Sequence, residues 1–187
     1  MIKFNVVYNK GGIMKKENDW DKYFLNMCNT VAGNSKCLSR KIGAIIVNDN
    51  SIVSTGYNGA ARGIPECQHR YKLDVLIIEK CKDIKHIDTN ICPRYTLNYK
   101  SGEGLDICIA GHAERNALIN AARVGVATKG LKMYMNCPIS CKDCLTEIIN
   151  AGIEEIIVTS MDYYDEASKY IIKYSDLKVC VFDCDID

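Results

Sequence analysis

The sequence has no apolar stretch approaching the ~20 residues that a membrane span needs. Met1 to Lys16 lacks the apolar core and small-residue cleavage site of a secretory signal. Charge of one sign is also missing, because 24 basic side chains nearly cancel 23 acidic ones. A protein that grips a nucleic-acid backbone ordinarily carries a basic surplus, since phosphate neutralisation dominates that affinity. One small phosphorylated molecule needs only a few local donors, so near-neutrality leaves that partner open. Internal repeats and low-complexity segments are absent too, which removes repeat arrays and biased tails from consideration.

What is present suits a soluble domain. The chain has 187 residues, 48% of them hydrophobic and 25% charged, enough to bury one core. Eleven cysteines are many for that length, and either a disulfide framework or metal binding accounts for such a number. Without a secretion signal, a reducing, cytoplasmic compartment is expected, where cysteine clusters more often hold metal than pair. Cys28 and Cys180 sit inside apolar patterns and read as core thiols. Met14 stands just before the first patterned helix, so residues 1–17 read as an N-terminal extension, with Met1 or Met14 as the start.

The pattern predicts a helix capped by Asn18 or Asp19 and running to about Val31. Lys41–Val47 and Ser51–Thr55 then form a hairpin around Asn48-Asp-Asn50. Residues 59–110 lose periodicity and concentrate Cys67, Cys81, Cys92 and Cys108 with His69 and His86. They read as an irregular insertion carrying one helix around Lys72–Lys80. An irregular run of that length is unusual unless functional or clamped. Regularity resumes with a helix over Ala113–Val124, a strand over Leu131–Met135 and a helix over Cys141–Asn150. A strand over Glu155–Thr159, a helix over Asp165–Lys173 and a strand over Leu177–Phe182 complete the chain. A hairpin followed by alternating helix and strand predicts an α/β fold, a mixed sheet of about five strands covered by helices, in one domain spanning 1–187.

Two segments carry chemistry: His112-Ala-Glu114 and Cys141-Lys-Asp-Cys144, each opening a predicted helix. Cysteines three apart on a first turn can direct both sulfurs at one ion, and His112 supplies a third ligand. Three protein ligands on zinc leave an open position, the mark of a catalytic site. Glu114 lies beside that position, suited to moving protons. Each half alone is weak, and their combination in this order is much stronger. Cys137 with Cys141 is an alternative register, without the i, i+3 spacing.

This arrangement resembles the zinc-dependent cytidine deaminase superfamily, whose His-x-Glu and Pro-Cys-x-x-Cys signature it nearly reproduces. It departs at Ser140, where the signature has proline; Pro138 lies two positions earlier. Asp19-Trp-Asp-Lys-Tyr-Phe24, Ser35-Lys-Cys-Leu-Ser-Arg40, Ile42–Val47, Thr55-Gly-Tyr-Asn-Gly59 and Gly63-Ile-Pro-Glu-Cys67 are similar to the deoxycytidylate deaminase branch. His112–Ala117 and Ile148–Ile153 fit it as well, so the similarity spans Trp20 to Val158.

The resemblance implies a three-layer α/β/α fold and hydrolytic deamination of deoxycytidine monophosphate (dCMP) to deoxyuridine monophosphate (dUMP), the thymidylate precursor. Zinc would be held by His112, Cys141 and Cys144, with Glu114 as proton shuttle. Asn58 and Ala113 would line the base and sugar pocket, although Asn58-Gly59 also reads as a plain turn. Lys36, Arg40 and Arg62 are candidates for the 5′-phosphate, and Tyr163 or Tyr164 for stacking or sheet-edge packing. Arg123 would serve an effector site for dCTP or dTTP in a homo-oligomer, or simply complement a helix end. A second, structural zinc, as some relatives carry, would draw on Cys67, Cys92, Cys108 and His69. The competing expectations are a deaminase acting on cytidine, guanine, dCTP, a pterin-like ring or tRNA adenosine, and a non-catalytic module built on structural zinc.

Overall fold

The computed structural model describes residues 19–182 and, beyond them, the backbone of two strands, β1 (Asn5–Asn9) and β2 (Gly12–Lys16). Asn18, one of the two expected helix caps, and Met1 lie outside the described residues. Helix α1 (Asp19–Ala32) forms because Phe24, Leu25, Cys28 and Ala32 recur on one face, all of them buried. Asp19 and Asp21 stand in its first turn, where the helix dipole favours negative charge.

Five strands make the expected mixed sheet: β3 (Gly43–Asn48), β4 (Ser51–Tyr57), β7 (Lys132–Met135), β8 (Glu155–Val158) and β9 (Lys178–Val181). Their spatial order is β4-β3-β7-β8-β9. β3 is antiparallel to both neighbours, and β7, β8 and β9 run parallel. Parallel neighbours need crossovers, supplied by α6 (Lys142–Asn150) and α7 (Glu166–Tyr174). The sheet continues beyond the expected five. Val6, Val7 and Tyr8 of β1 pair with Val181, Cys180 and Val179, and β2 pairs with β1. Within the N-terminal extension, β1 and β2 thus lengthen the sheet, and the β1–β9 pairing satisfies the backbone groups of what would otherwise be an open edge.

Strand alternation divides the core into two layers. Ala44, Ile46, Met133, Met135, Ile156, Val158 and Val179 face α5 (Ala113–Arg123) and α6. The intervening Ile45, Val47, Tyr134, Ile157 and Cys180 face α1. Helices therefore cover both faces. Each fully buried aliphatic side chain in these layers contributes roughly 1.5–3 kcal/mol by removal from water.

α5 approaches the sheet unusually closely. Its buried stripe is Ala113, Ala117 and Ala121, and Gly56 lies opposite on β4. A Cβ at Gly56 would fall 2.2 Å from Ala117 N and 2.3 Å from Ala113 O. Both are backbone atoms of a packed helix and cannot swing aside. Gly56→Ala is expected to lower stability by about 3 kcal/mol through overpacking, read from the urea midpoint. An unchanged midpoint would contradict this close approach.

Residues 59–110 are more ordered than expected. The short strands β5 (Gly59–Ala60) and β6 (Ala110–Gly111) pair at the base of the segment. Above them stand α2 (Cys67–Leu73), α3 (Val75–Cys81), α4 (Pro93–Thr96) and a 3-10 turn at Leu105–Ile107. The single helix expected around Lys72–Lys80 is two, broken at Asp74. That residue caps α3 by accepting from Leu76 N at 3.0 Å and Ile77 N at 3.3 Å. Ile77, Cys81 and Ile107 form a small core of their own. Buried arginines tie distant loops to it: Arg70 donates to Ile107 O at 2.7 Å, and Arg94 to Glu103 O at 2.7 Å.

Candidate active site

His112 and Cys141 occupy equivalent places, each the N-cap of a helix with extended backbone, at α5 and α6. The alanine stripe and Gly56 fix α5 on β4, while the segment after β7 delivers Cys141 to the start of α6. Cys144, Leu145 and Ile148 of α6 are buried, which turns the first turn of that helix toward α5. Arg115 and Glu147 join the two helices from outside in a bidentate pair at 2.6 and 2.8 Å.

The result is one compact donor group. His112 Nδ1 lies 3.2 Å from Cys144 Sγ and 3.5 Å from Cys141 Sγ. Among the described residues this is the only group of three or more ligand-type side chains whose donor atoms all lie within 4.8 Å of one another. The expected register, Cys141 with Cys144, is the one brought together; Cys137 is not part of the group. The chemistry of the donors fits zinc. A hydrogen bond from Cys144 holds the Cys141 thiol down to about 4, burial opposing and His112 assisting. Cys144 is driven well up by the same shared proton and by its burial. Two sulfurs and an imidazole nitrogen crowded this closely form a donor set that suits zinc, with deprotonation of the thiols accompanying its binding.

Glu114 is buried, at 4% exposure, yet it is not one of the three ligands. Its Oε1 accepts from Ser140 Oγ at 2.6 Å. Both groups line a cavity of about 550 Å³ together with His112, Ala113 and Cys141. Arg40, Asn58 and Ser39 form one wall; Cys67, Cys92, Arg94 and Cys108 bring in the 59–110 segment; Tyr163 and Tyr164 stand at the rim. The cavity is therefore made jointly by the segments flanking β3, β4 and β7, the starts of both ligand-bearing helices and the inserted segment.

The other predicted residues divide sharply. Arg40, Ala113, Tyr163 and Tyr164 line the cavity. Asn58 lines it too, but its amide also works on the fold. Its Oδ1 accepts from Ile42 N and Ser35 Oγ, both at 2.8 Å, and Nδ2 donates to Arg40 O at 2.8 Å. Lys36 and Arg62 are not in the lining. Arg62 instead reaches Asn120 Oδ1 at 2.8 Å on the outer side of α5. Arg123 is exposed at the far end of α5, away from the cavity.

Of the four residues expected around a second metal, Cys67, Cys92 and Cys108 share the cavity wall, whereas His69 is outside it beside Gln68. The sequence reading overlooked Cys37, which joins the three sulfurs in that wall. Burial, then the neighbouring Cys92, Cys37 and Cys108, push the Cys67 thiol up to about 11, with Arg70 opposing. No three of these four sulfurs meet the 4.8 Å spacing of the His112 group. Arg94 and Ser140 were also missed. The only sequence signal for Ser140 was its departure from the signature proline.

Comparison with known proteins places this geometry. The family model described as the cytidine and deoxycytidylate deaminase zinc-binding region matches residues 18–160. Deoxycytidylate deaminase of Schizosaccharomyces pombe is 32% identical over 138 residues, covering 74% of this chain but only 36% of that protein. Human deoxycytidylate deaminase is 34% identical over 155 residues, covering 81% of this chain and 72% of its own length. A crystal structure of dCMP deaminase from cyanophage S-TIM5, in complex with dCMP and dUMP, shares the fold with a TM-score of 0.59. It is 18% identical and covers 88% of this chain and 97% of the phage chain. With the His-x-Glu and Cys-x-x-Cys segments drawn into one site inside the matched region, the chain belongs to the cytidine and deoxycytidylate deaminase zinc-binding family.

Proposed function

We propose that the protein hydrolyses dCMP to dUMP and ammonia, using zinc. The observation that carries this reading is the buried Glu114 carboxylate beside a three-donor metal group on the floor of a nucleotide-sized cavity. A purely structural zinc site closes with four protein ligands and has no use for a buried carboxylate next to it. Zinc held by His112, Cys141 and Cys144 supplies a Lewis acid that makes water nucleophilic near neutral pH.

Glu114 takes a proton from the attacking water and delivers one to N3 of the cytosine, which makes C4 electrophilic. The C4–O bond forms, and Glu114 then takes the second water proton from the C4 hydroxyl and passes it to the exocyclic amine as the C4–N bond breaks and the C4 carbonyl forms. One water enters and one ammonia leaves, so atoms and protons balance. Ala113, fully buried at the helix start, leaves room for the ring edge against α5. Tyr163 and Tyr164 are placed to cover the base, and Asn58 holds the segment that presents Arg40.

The 5′-phosphate selects among related substrates, and Arg40 is its proposed partner because it alone of the three predicted cations lines the cavity. A charged hydrogen bond of this kind is worth roughly 1.5–3 kcal/mol. Arg40→Ala is therefore expected to raise KM for dCMP by about 10- to 100-fold while leaving turnover of unphosphorylated deoxycytidine unchanged. Wild-type protein that handles both equally well would point to a nucleoside deaminase instead.

The wider proposal is one deaminase domain over 1–187 working in a reducing cytoplasm. Among the described residues no helix is long and apolar enough to cross a membrane, and no disulfide joins the cysteines. A homo-oligomer responsive to dCTP or dTTP is part of it, with exposed Arg123 free to meet another subunit. The second zinc is proposed on Cys67, Cys92 and Cys108, with Cys37 better situated than His69 as the fourth ligand. Binding there would require the four sulfurs to draw together, tightening the 59–110 segment over the cavity.

A further inference from the structure

We infer that Ser140 is a positioning residue for the proton shuttle, an inference that rests on the deaminase reading above. Three observations carry it. Ser140 is buried, at 4% exposure, beside a carboxylate buried to the same degree. Its Oγ is 2.6 Å from Glu114 Oε1, short enough for a charge-assisted hydrogen bond. Among the described residues the only other acceptor bonded by that hydroxyl is Met135 Sδ at 3.4 Å, and a thioether accepts weakly, so the hydroxyl proton belongs to Glu114.

The backbone that carries this hydroxyl is held from behind. Ser168, fully buried, shares its one hydroxyl proton between Ser140 O at 3.1 Å and Asp165 Oδ1 at 2.9 Å. The same Ser168 is fixed by Asp165, the N-cap of α7, whose other carboxylate oxygen receives Lys142 N at 3.1 Å. A run of hydrogen bonds thus connects the start of α7, the start of α6 and one oxygen of the glutamate. Glutamate has three side-chain torsions, and a free carboxylate would sample several rotamers. Pinning Oε1 holds the carboxylate of this cavity-lining side chain in one orientation, the pre-organisation that proton transfer in a closed site needs. Proline at position 140, as the family signature has it, has no hydroxyl and could not make this bond.

The test compares wild type, Ser140→Ala, Ser140→Thr and Ser140→Cys for zinc content, melting temperature, kcat and KM on dCMP. It adds two affinities: for dUMP, and for a 2-pyrimidinone deoxynucleotide captured as its tetrahedral hydrate. Ser140→Ala is expected to keep its zinc and fold and its KM, and to lose about 10- to 100-fold in kcat. Affinity for the hydrate-forming ligand falls in parallel while affinity for dUMP does not. Ser140→Thr, which keeps the hydroxyl, recovers most of the rate, and Ser140→Cys, a near-isostere with a weak donor, does not. An alanine or cysteine variant within twofold of wild-type kcat overturns the inference. Loss of zinc or folding in alanine and cysteine variants alike, unrescued by threonine, also overturns it and makes Ser140 a structural support of the turn. Wild-type protein without deaminase activity defeats the deaminase reading itself, which separates the two failures.

Discussion

Glu114→Gln is expected to hold its zinc, melt within a few degrees of wild type, and lose about 10²- to 10⁴-fold in kcat. The amide is nearly the size of the carboxylate and can still accept from Ser140 Oγ, so packing at this buried position survives. What disappears is the ability to take a proton and give it back. The three metal donors belong to other residues, so metal content should not follow activity. That dissociation separates a proton shuttle from a ligand. A mutant that loses zinc along with activity would move Glu114 into the metal group, and a mutant that keeps full rate would remove it from the chemistry.

Cys144→Ser is expected to do the opposite: to lose the catalytic zinc first and activity as a consequence. Cys144 is the buried sulfur of the pair and the one closer to His112, so its removal leaves two donors at the solvent side of the site. Apparent zinc affinity should fall on the order of 10²-fold or more, since even changes to groups that merely support ligands cost about 10- to 100-fold. Metal bound only by the folded state stabilises it by about 4 kcal/mol at a thousandfold excess over its dissociation constant. For a chain of this size that corresponds to a fall in Tm on the order of 10 °C when zinc is lost. Metal counting also resolves the second site. With both sites filled, wild type carries two zinc ions, Cys144→Ser one, and Cys92→Ser one with activity partly kept. A wild-type count of one, unaffected by Cys92→Ser, would leave the four cavity-wall cysteines as thiols.

How much of this was readable in advance depends on the range of the forces involved. The sheet was legible because β3 is an unbroken apolar run, buried on both faces from Gly43 to Val47 and ended by the turn residues Asn48-Asp-Asn50. The metal group was legible because its donors sit at helix starts with fixed spacing, which local sequence sets. The 59–110 segment was not, since its order comes from contacts such as Arg70 with Ile107 O, 37 positions away. The break at Asp74 was hidden in a run that scores as one helix, until its side chain is seen capping α3. Among the cations, nothing local distinguishes Arg40 from Lys36 or Arg62, because loops have no periodicity to say which way a side chain turns. Cys37 belongs to the same class: it meets Cys67, Cys92 and Cys108 only after four separate segments converge on one wall. Ser140 was visible as an anomaly, but its meaning required the position of Glu114.

The central claim is tested most directly by incubating the zinc-loaded protein with dCMP in ¹⁸O-labelled water and analysing the product by mass spectrometry with parallel ammonia determination. Hydrolytic deamination at this site predicts dUMP carrying one ¹⁸O at C4 and one ammonia released per dUMP formed. Folded, zinc-loaded protein that leaves dCMP unchanged, even with dCTP present, would contradict the account.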